Sequence, residues 1–408
     1  MEIQFIGIYI FSIIILLVVF FILYIKIKYK FWSLQPVFHF YDFQYWIYNK
    51  GIIRYELPEK NKYTNFKSIK TYEFHSLTNK QMQDFIILIQ LNYLQNKGNK
   101  FYPKKDNIVP YFIGYSSKTF CSLYFKPTTI IHNKSSETFI QDEIVGIITS
   151  RPLYVQIQDK YNKNMNKMNV YYVDYLCVNK HYRKQNIAPQ LIQTHEYNQS
   201  YLNKNICVSL FKREEELTGI IPLTVYKTYC YQLRDSHYII PPLLPSSIQV
   251  LTGDKQNLYY FYNFMKETEL DWDILIYPDL SNLIELITSG NIFLKMLILD
   301  GEILSAYLFR KTCTYITEGK EIVSCFASIR SKNISNKEFV IGFKNSLWSI
   351  IKDHKNFGYI TIENISDNYL LIEDKNKNNH PLIVSLMAYF FYNFAYSPFD
   401  SKKCLIIN

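Results

Sequence analysis

Residues 173–192 read VDYLCVNKHYRKQNIAPQLI. The stretch opens as a strand rich in β-branched and aromatic residues and ends at Val178. A basic loop follows with Lys180, Arg183 and Lys184, and a helix then starts near Ala188, entered through Pro189, a favoured first-turn residue. A helix start presents unpaired backbone N–H groups and the positive end of a dipole. Beside three cations, that suits a pyrophosphate. The loop is not a nucleotide P-loop, because it lacks the Gly-rich run with Lys-Ser/Thr. Taken alone, the same pattern also describes an ordinary solvated turn before an amphipathic helix. Its meaning depends on what surrounds it.

Working outward, residues 144–150 and 170–178 read as strands, and residues 80–95 (KQMQDFIILIQLNYLQ) carry helical apolar spacing. Residues 188–201 read as the helix after the basic loop. A Pro-rich break at 238–247 (YIIPPLLPSS) separates two halves. The second half repeats the style of the first. Residues 293–299 and 302–309 flank Asp300-Gly301, a hairpin turn signal. Residues 342–353 read as a helix, and 359–363 and 387–394 as strands. The Asn/Lys-rich stretches at 161–169 and 374–379 read as loop insertions. The expected class is α+β, with two related halves.

At the other end, FIGIYIFSIIILLVVFFILYI runs from Phe5 to Ile25 without a charge. That is close to the ~20 apolar residues that cross a hydrocarbon core. A cleaved signal peptide fits poorly: no Lys or Arg leads the run, the run is long, and no Ala-x-Ala-like site follows. Lys26, Lys28 and Lys30 lie just after it and only Glu2 before it, so the positive-inside rule puts the body on the cytosolic side. The seven cysteines are odd in number and form no CxxC pair, which fits reduced thiols in such a compartment. The expected localisation is a single-pass membrane protein contacting lipid through residues 5–25.

The whole 408-residue chain is 48% hydrophobic and 17% aromatic, which excludes a disordered or collagen-like protein. Its net charge of +10 is diffuse and accompanies no nucleic-acid motif, so a nucleic-acid partner is not expected. The eight histidines are scattered, with no HExxH or paired Cys/His spacing, and no metal site is expected.

Several stretches together resemble one family. The loop Arg183-x-x-Asn186-x-Ala188 is similar to the pyrophosphate turn of GNAT-fold acyltransferases. The whole 173–192 run resembles the signature of N-myristoyltransferases, where a Leu-Cys-Val strand, a basic loop and an Ala-Pro helix start follow one another. YKFWSLQPV (29–37) resembles that family's acyl-CoA clamp, LNYLQNKGNKF (91–101) its helix-to-loop segment, and AYFFYNFAYSPFDSKKCLIIN (388–408) its last strand and tail. The matches fall in the family's order, densely in the first half and thinly from 240 to 385.

The resemblance implies two tandem GNAT-like acyltransferase halves behind one transmembrane helix: an anchor at 1–28, an acyl-CoA-binding half at 29–240 and a peptide-binding half at 241–408. The implied activity is transfer of myristoyl from myristoyl-CoA, the co-substrate, to the N-terminal glycine amine of proteins, by a monomer. The backbone N–H groups of Tyr175 and Leu176 fall on the oxyanion hole, where a tetrahedral intermediate needs pre-aimed donors. Tyr29, Lys30, Phe31 and Trp32 fall on the acyl-CoA clamp, with Tyr93 and Leu94 nearby. Cys177, Val178, Arg183, Lys184, Asn186, Ile187, Ala188 and Pro189 fall on the acyl-CoA side. Phe101 and Thr218 fall on the acceptor side. An ammonium cannot attack, so a base must take a proton. By resemblance that base is the main-chain carboxylate of Asn408.

The departures gather on the peptide side. Leu94-Gln95-Asn96-Lys97-Gly98-Asn99-Lys100 stands where the family carries an acidic run, and His380-Pro381-Leu382-Ile383-Val384-Ser385 replaces its Gly-Asp-Gly loop. The expectation is a substrate preference for neutral or acidic residues downstream of the glycine. Cys177 has no His or Asp partner nearby in sequence and reads as a buried thiol rather than a nucleophile. Two other readings stay open: an acyl-CoA acyltransferase with a different acceptor or chain, and a non-catalytic membrane protein on the same scaffold.

Overall fold

A computed structural model describes residues 2–48, 50–95, 98–131, 138–159, 165–214, 219–233, 240–317 and 319–408. Thr218, Asn96, Lys97 and residues 238–239 of the Pro-rich break lie outside the described residues.

The first half is an antiparallel meander that turns parallel at a helix. Strands Ile69–Glu73, Phe120–Ile131, Thr138–Gln158 and Met165–Val178 pair in sequence order. The helix Ile187–Leu202 then crosses over, and Ser209–Glu214 returns parallel to Met165–Val178. The second half repeats this plan. Strands Ile292–Leu299, Glu302–Thr317 and Lys320–Arg330 form a meander, the helix Asn336–Asp353 crosses over, and Phe357–Glu363 returns parallel. Each crossover helix lies close on its sheet because a glycine sits at the contact. A Cβ on Gly146 would meet Leu191 at 2.9 Å, and one on Gly342 would meet Leu297 at 2.2 Å.

The halves interleave. Strand Ile383–Tyr392 pairs with Ser209–Glu214 on one side and Thr224–Gln232 on the other, and Thr224–Gln232 pairs with Phe357–Glu363. One core cluster joins Phe85, Leu88 and Ile89 to Leu258, Phe261 and Leu294. The tail is threaded inside. Cys404–Ile406 runs parallel to Ile274–Tyr277, which pairs with Thr138–Gln158, and Cys404 to Asn408 are all buried.

The expected hairpin forms at Asp300-Gly301, where φ is 50° and 86°, the left-handed pair such a turn requires. Three expectations shift. Residues 165–169 are strand rather than loop insertion, because they continue the ladder against Tyr154–Gln158. Residues 374–378 are the end of a helix, Asn368–Asn378. The helix expected at 342–353 starts six residues earlier, where Ser335 and Glu338 form a capping box.

The N-terminal helix, Glu2–Lys28, contains the one stretch among the described residues long and apolar enough to cross a membrane, Ile6–Lys28. It does not hang on a linker. Ile25 is buried, Tyr29 N–H donates to its carbonyl (2.8 Å), and the chain passes straight into the turn 30–35.

Candidate active site

The centre of the site is an irregularity in one strand. Opposite Thr138–Gln158, Thr149 pairs with Asp174 but Ile147 pairs with Cys177. Two steps on one strand therefore face three on the other, which is a β-bulge. On its other side, Met165–Val178 pairs with Ser209–Glu214 only from Tyr171 to Val173. The strands then part, and Tyr175 and Leu176 have no ladder partner on either side. Tyr175 sits at φ 34°, a strained conformation for a bulky residue. Its ring is held among Phe85, Tyr93 and Phe112, with centroids 6.1, 5.6 and 6.3 Å away, so core packing fixes the bulge. Asp174 beside it is pinned by the buried Arg151 at 2.9 Å.

The bulge faces a cavity of about 1180 Å³. Next to it is the start of the Ile187–Leu202 helix. Asn186 holds the cap position at φ 59°, ψ 20°, and caps with no side-chain hydrogen bond. The helix begins two residues before Pro189, so Ile187 and Ala188 supply free N–H groups of the first turn. Asn186, Ala188 and Pro189 line the cavity.

The turn after the N-terminal helix closes another side with Lys28 to Trp32. Trp32 stacks on Phe211 (5.6 Å, 12°), Phe211 stacks on Phe390 (5.3 Å, 16°), and Phe31 meets Tyr63 edge-on. This aromatic wall suits an apolar chain, while Lys28 and Lys30 bring exposed charge to the same cavity. Tyr93 and Leu94 complete the lining beside Tyr175.

Several residues singled out in the sequence lie elsewhere. The side chain of Arg183 turns inward, donating to the carbonyls of Asn92 (2.7 Å) and Val178 (3.3 Å). It braces the loop rather than reaching into the cavity. Cys177 is buried against Leu88, and burial pushes its thiol up to about 12, which makes it a poor nucleophile. Val178, Lys184, Ile187 and Phe101 do not line the cavity. Phe101 supports it from behind, its ring 5.5 Å from Tyr93. Asn408 reaches it through another residue. Arg310 lines the cavity, and its Nη2 donates to the main-chain oxygen of Asn408 and, at 2.8 Å, to its Oδ1.

Arg310 and three other cavity residues were not found in the sequence. Lys212 meets both oxygens of Glu363 at 3.1 Å, and Tyr226 donates to the same carboxylate at 2.6 Å. Burial works against the Lys212 ammonium, but Glu363 outweighs it and holds the pKa above the usual lysine value. Glu196 is buried, accepts from Ser209 at 3.0 Å, and is pushed up to about 7 by burial. Its neighbour His195 bridges Ser122 and Ser150 at 2.8 and 2.9 Å, and burial lowers it to about 3. Of these, only His195 and Glu196 sit near a recognisable motif, a few residues past the 173–192 run on the Ile187–Leu202 helix. Arg310, in FRKTC, resembles the charged end of an exposed strand, and its partner lies 98 residues away.

The site can therefore do three things. It can hold an anion at the helix start, line an apolar chain with aromatic rings, and present two residues without ladder partners, Tyr175 and Leu176, in the cavity lining.

Residues 53–221 match the family model for the N-terminal domain of myristoyl-CoA:protein N-myristoyltransferase. Solved structures agree over a longer span. A Saccharomyces cerevisiae N-myristoyltransferase with bound myristoyl-CoA shares the fold with a TM-score of 0.67 at 14% identity, covering 91% of this chain and 94% of that one. A second structure of the yeast enzyme gives 0.68 at 14% identity, over 92% and 90%. A tandem GNAT protein from the clavulanic acid biosynthesis pathway gives 0.53 at 8% identity, over 81% of this chain and all of that one. No curated protein sequence matches this chain.

Proposed function

We propose that this chain, which has a tandem GNAT-like fold, is an acyltransferase of the N-myristoyltransferase family, and that it moves a myristoyl group from myristoyl-CoA to the N-terminal glycine amine of proteins. The observation that carries the reading is the bulge at Tyr175–Leu176. It leaves two adjacent residues without ladder partners in the same cavity as a free helix start and an aromatic wall.

In this reading the CoA pyrophosphate rests at the start of the Ile187–Leu202 helix, against Asn186 and the N–H group of Ala188. The thioester carbonyl points at the backbone N–H groups of Tyr175 and Leu176. The glycine amine attacks that carbonyl carbon, the oxyanion is held by those donors, and the CoA thiolate leaves as the carbonyl re-forms. Two N–H groups already in place stabilise the intermediate without reorganisation, and removing one such donor typically costs about 10²–10³ in kcat.

The amine must lose a proton before or during attack. The main-chain carboxylate of Asn408 is the proposed base. Arg310, which lines the cavity, holds the Asn408 main-chain oxygen just behind that wall. The loss of the acidic run at 94–100 favours acceptors with acidic or neutral residues after the glycine.

The apolar N-terminal helix is proposed to span a bilayer with the body on the cytosolic side, since Lys26, Lys28 and Lys30 all follow it.

The deciding experiment supplies alkyne-tagged myristoyl-CoA and N-terminal glycine peptides to the full chain in nanodiscs. Acylated peptide is the expected product. A variant extended by a few residues beyond Asn408 is expected to lose turnover and keep acyl-CoA binding. Undiminished turnover by that variant would overturn the carboxylate mechanism, and binding without any turnover in the parent would overturn the activity.

A further inference from the structure

Past the cavity-lining turn, the chain runs back along its own first helix. Phe40 packs on Phe21 with ring centroids 5.4 Å apart. Lys26 lies 5.2 Å over the ring of Tyr41. Ile25 is buried beside Gly219, whose carbonyl accepts from the Phe40 N–H at 3.1 Å. A helix rises about 1.5 Å per residue, so Phe21 lies about 6 Å further into the apolar stretch than Ile25. Phe40 is held at that level.

Beyond Phe40 the chain forms a short helix, Phe43–Ile47. Phe43, Trp46, Ile47 and Tyr48 expose 60, 42, 67 and 83% of their surface. The sequence from Phe43 to Tyr48, FQYWIY, carries no charge. These side chains are not loose. Trp46 Nε1 donates to the Phe40 carbonyl at 3.2 Å, and the rings of Trp46 and Tyr45 pack on Phe38 at 5.0 and 5.8 Å. The result is a fixed aromatic ledge, uncovered by the other described residues, beside the last turns of the apolar helix.

We propose that this ledge lies in the boundary between headgroups and hydrocarbon, as a second membrane contact beside the span. The proposal rests on the reading of residues 6–28 as a span. Its occupant follows from continuity: a span that buries Phe21 in a bilayer carries the Phe40 ring that touches it to the same depth. Trp and Tyr favour that boundary because their rings are apolar and their N–H and O–H groups stay wet. A span alone leaves the body free to tilt against the lipid surface. A span and a ledge fix two points, and they hold the Lys28–Trp32 wall of the cavity at a set distance from the lipid surface.

The test reconstitutes the full chain in vesicles whose lipids carry bromines at defined depths. The Trp46 signal is the emission lost in a Trp46→Phe variant, and an Ile15→Trp variant reports the span. Trp46 is expected to be quenched at least twofold by the shallowest bromines, and the added tryptophan at position 15 by the deepest. A Phe43→Glu, Ile47→Glu double variant is expected to remain in the membrane and lose the shallow quenching. Trp46 unquenched at every depth while position 15 is quenched would leave the span standing and overturn the ledge. Quenching at neither position overturns both. Shielding of Trp46 only at high protein-to-lipid ratio would make the face a contact between copies and overturn the lipid assignment.

Discussion

A partly buried guanidinium needs acceptors, and Arg310 finds two of them on one residue, Asn408. Its Nε is buried with no hydrogen-bond partner among the described residues. Arg310→Leu removes the donors that orient the Asn408 main-chain oxygen. Steady-state kinetics should show kcat falling about tenfold to a hundredfold, with the KM for acyl-CoA little changed, since misplacing a reacting group by ~1 Å costs that much. Arg310→Lys should fall between, because it keeps the charge and loses the fork. An unchanged kcat in the leucine variant would remove the arginine from the positioning of the base. Glu196 gives a prediction of the opposite kind, about stability. Burial holds its carboxyl at about 7 in the fold, against an ordinary value near 4.5. Between those values the folded state keeps a proton that the unfolded state has released, so stability declines as pH rises from ~4.5 through ~7. Glu196→Gln does not titrate. Its stability advantage over the parent should grow by roughly 2–3 kcal/mol between pH 5 and pH 8, read from urea unfolding at both, since one pKa unit is about 1.4 kcal/mol. A pH-independent difference would mean that the carboxyl is not held neutral. Neither residue was legible in the sequence. Arg310 and Asn408 are 98 residues apart, Lys212 and Glu363 are 151 apart, and no local pattern encodes such meetings.

At the scale of elements, the most informative piece is the loop that enters the Ile187–Leu202 helix. The sequence shows its strand, its basic loop and its helix, because each is a local pattern of β-branched residues, charge and Pro. It does not show that Asn186 takes a left-handed conformation at φ 59° to turn the chain into the helix. Asn tolerates that conformation through its short polar side chain, whereas a β-branched residue does not. Asn186→Gly should therefore leave acyl-CoA affinity nearly unchanged. Asn186→Val should cost about 1–2 kcal/mol in the turn and weaken acyl-CoA binding by calorimetry, with the helix itself intact by circular dichroism. Equal affinities in the two variants would show that the turn does not set the anion site. The bulge illustrates the other limit. Residues 170–178 read as a strand and are one, but the extra residue at Tyr175–Leu176 exists only relative to Ile147 and Thr149 on the neighbouring strand. The early start of the Asn336–Asp353 helix is different, since Ser335 and Glu338 spell a capping box and were readable. What stays hidden is pairing. Ile383–Tyr392 slots between two strands of the first half, a placement no composition reports.

For the whole molecule, the N-terminal helix belongs both to the apolar stretch and to the body. Its first twenty residues are exposed wherever they are described, yet Phe21 meets Phe40 and Ile25 is buried beside Gly219. The Lys28–Trp32 segment just after it lines the cavity. Where the chain is cut therefore decides what is lost. Removing residues 1–20 deletes most of the apolar stretch and leaves Phe21, Ile25 and the cavity wall in place. That variant should keep its turnover on soluble peptides while losing transfer of acylated product into vesicles, followed by flotation of a tagged product. Removing residues 1–28 also takes away the Ile25 contact. Fully burying an isoleucine is worth about 1.5–3 kcal/mol, so the longer truncation should unfold at correspondingly lower urea concentration. Its KM for acyl-CoA should rise, because Lys28 is gone and Tyr29 has lost the carbonyl of Ile25 that anchors its N–H. Equal stability and equal KM in the two truncations would show that the helix is a tether and nothing more. A stepwise loss, delivery first and acyl-CoA binding second, is the outcome expected of a helix whose last two turns are structural members of the folded body.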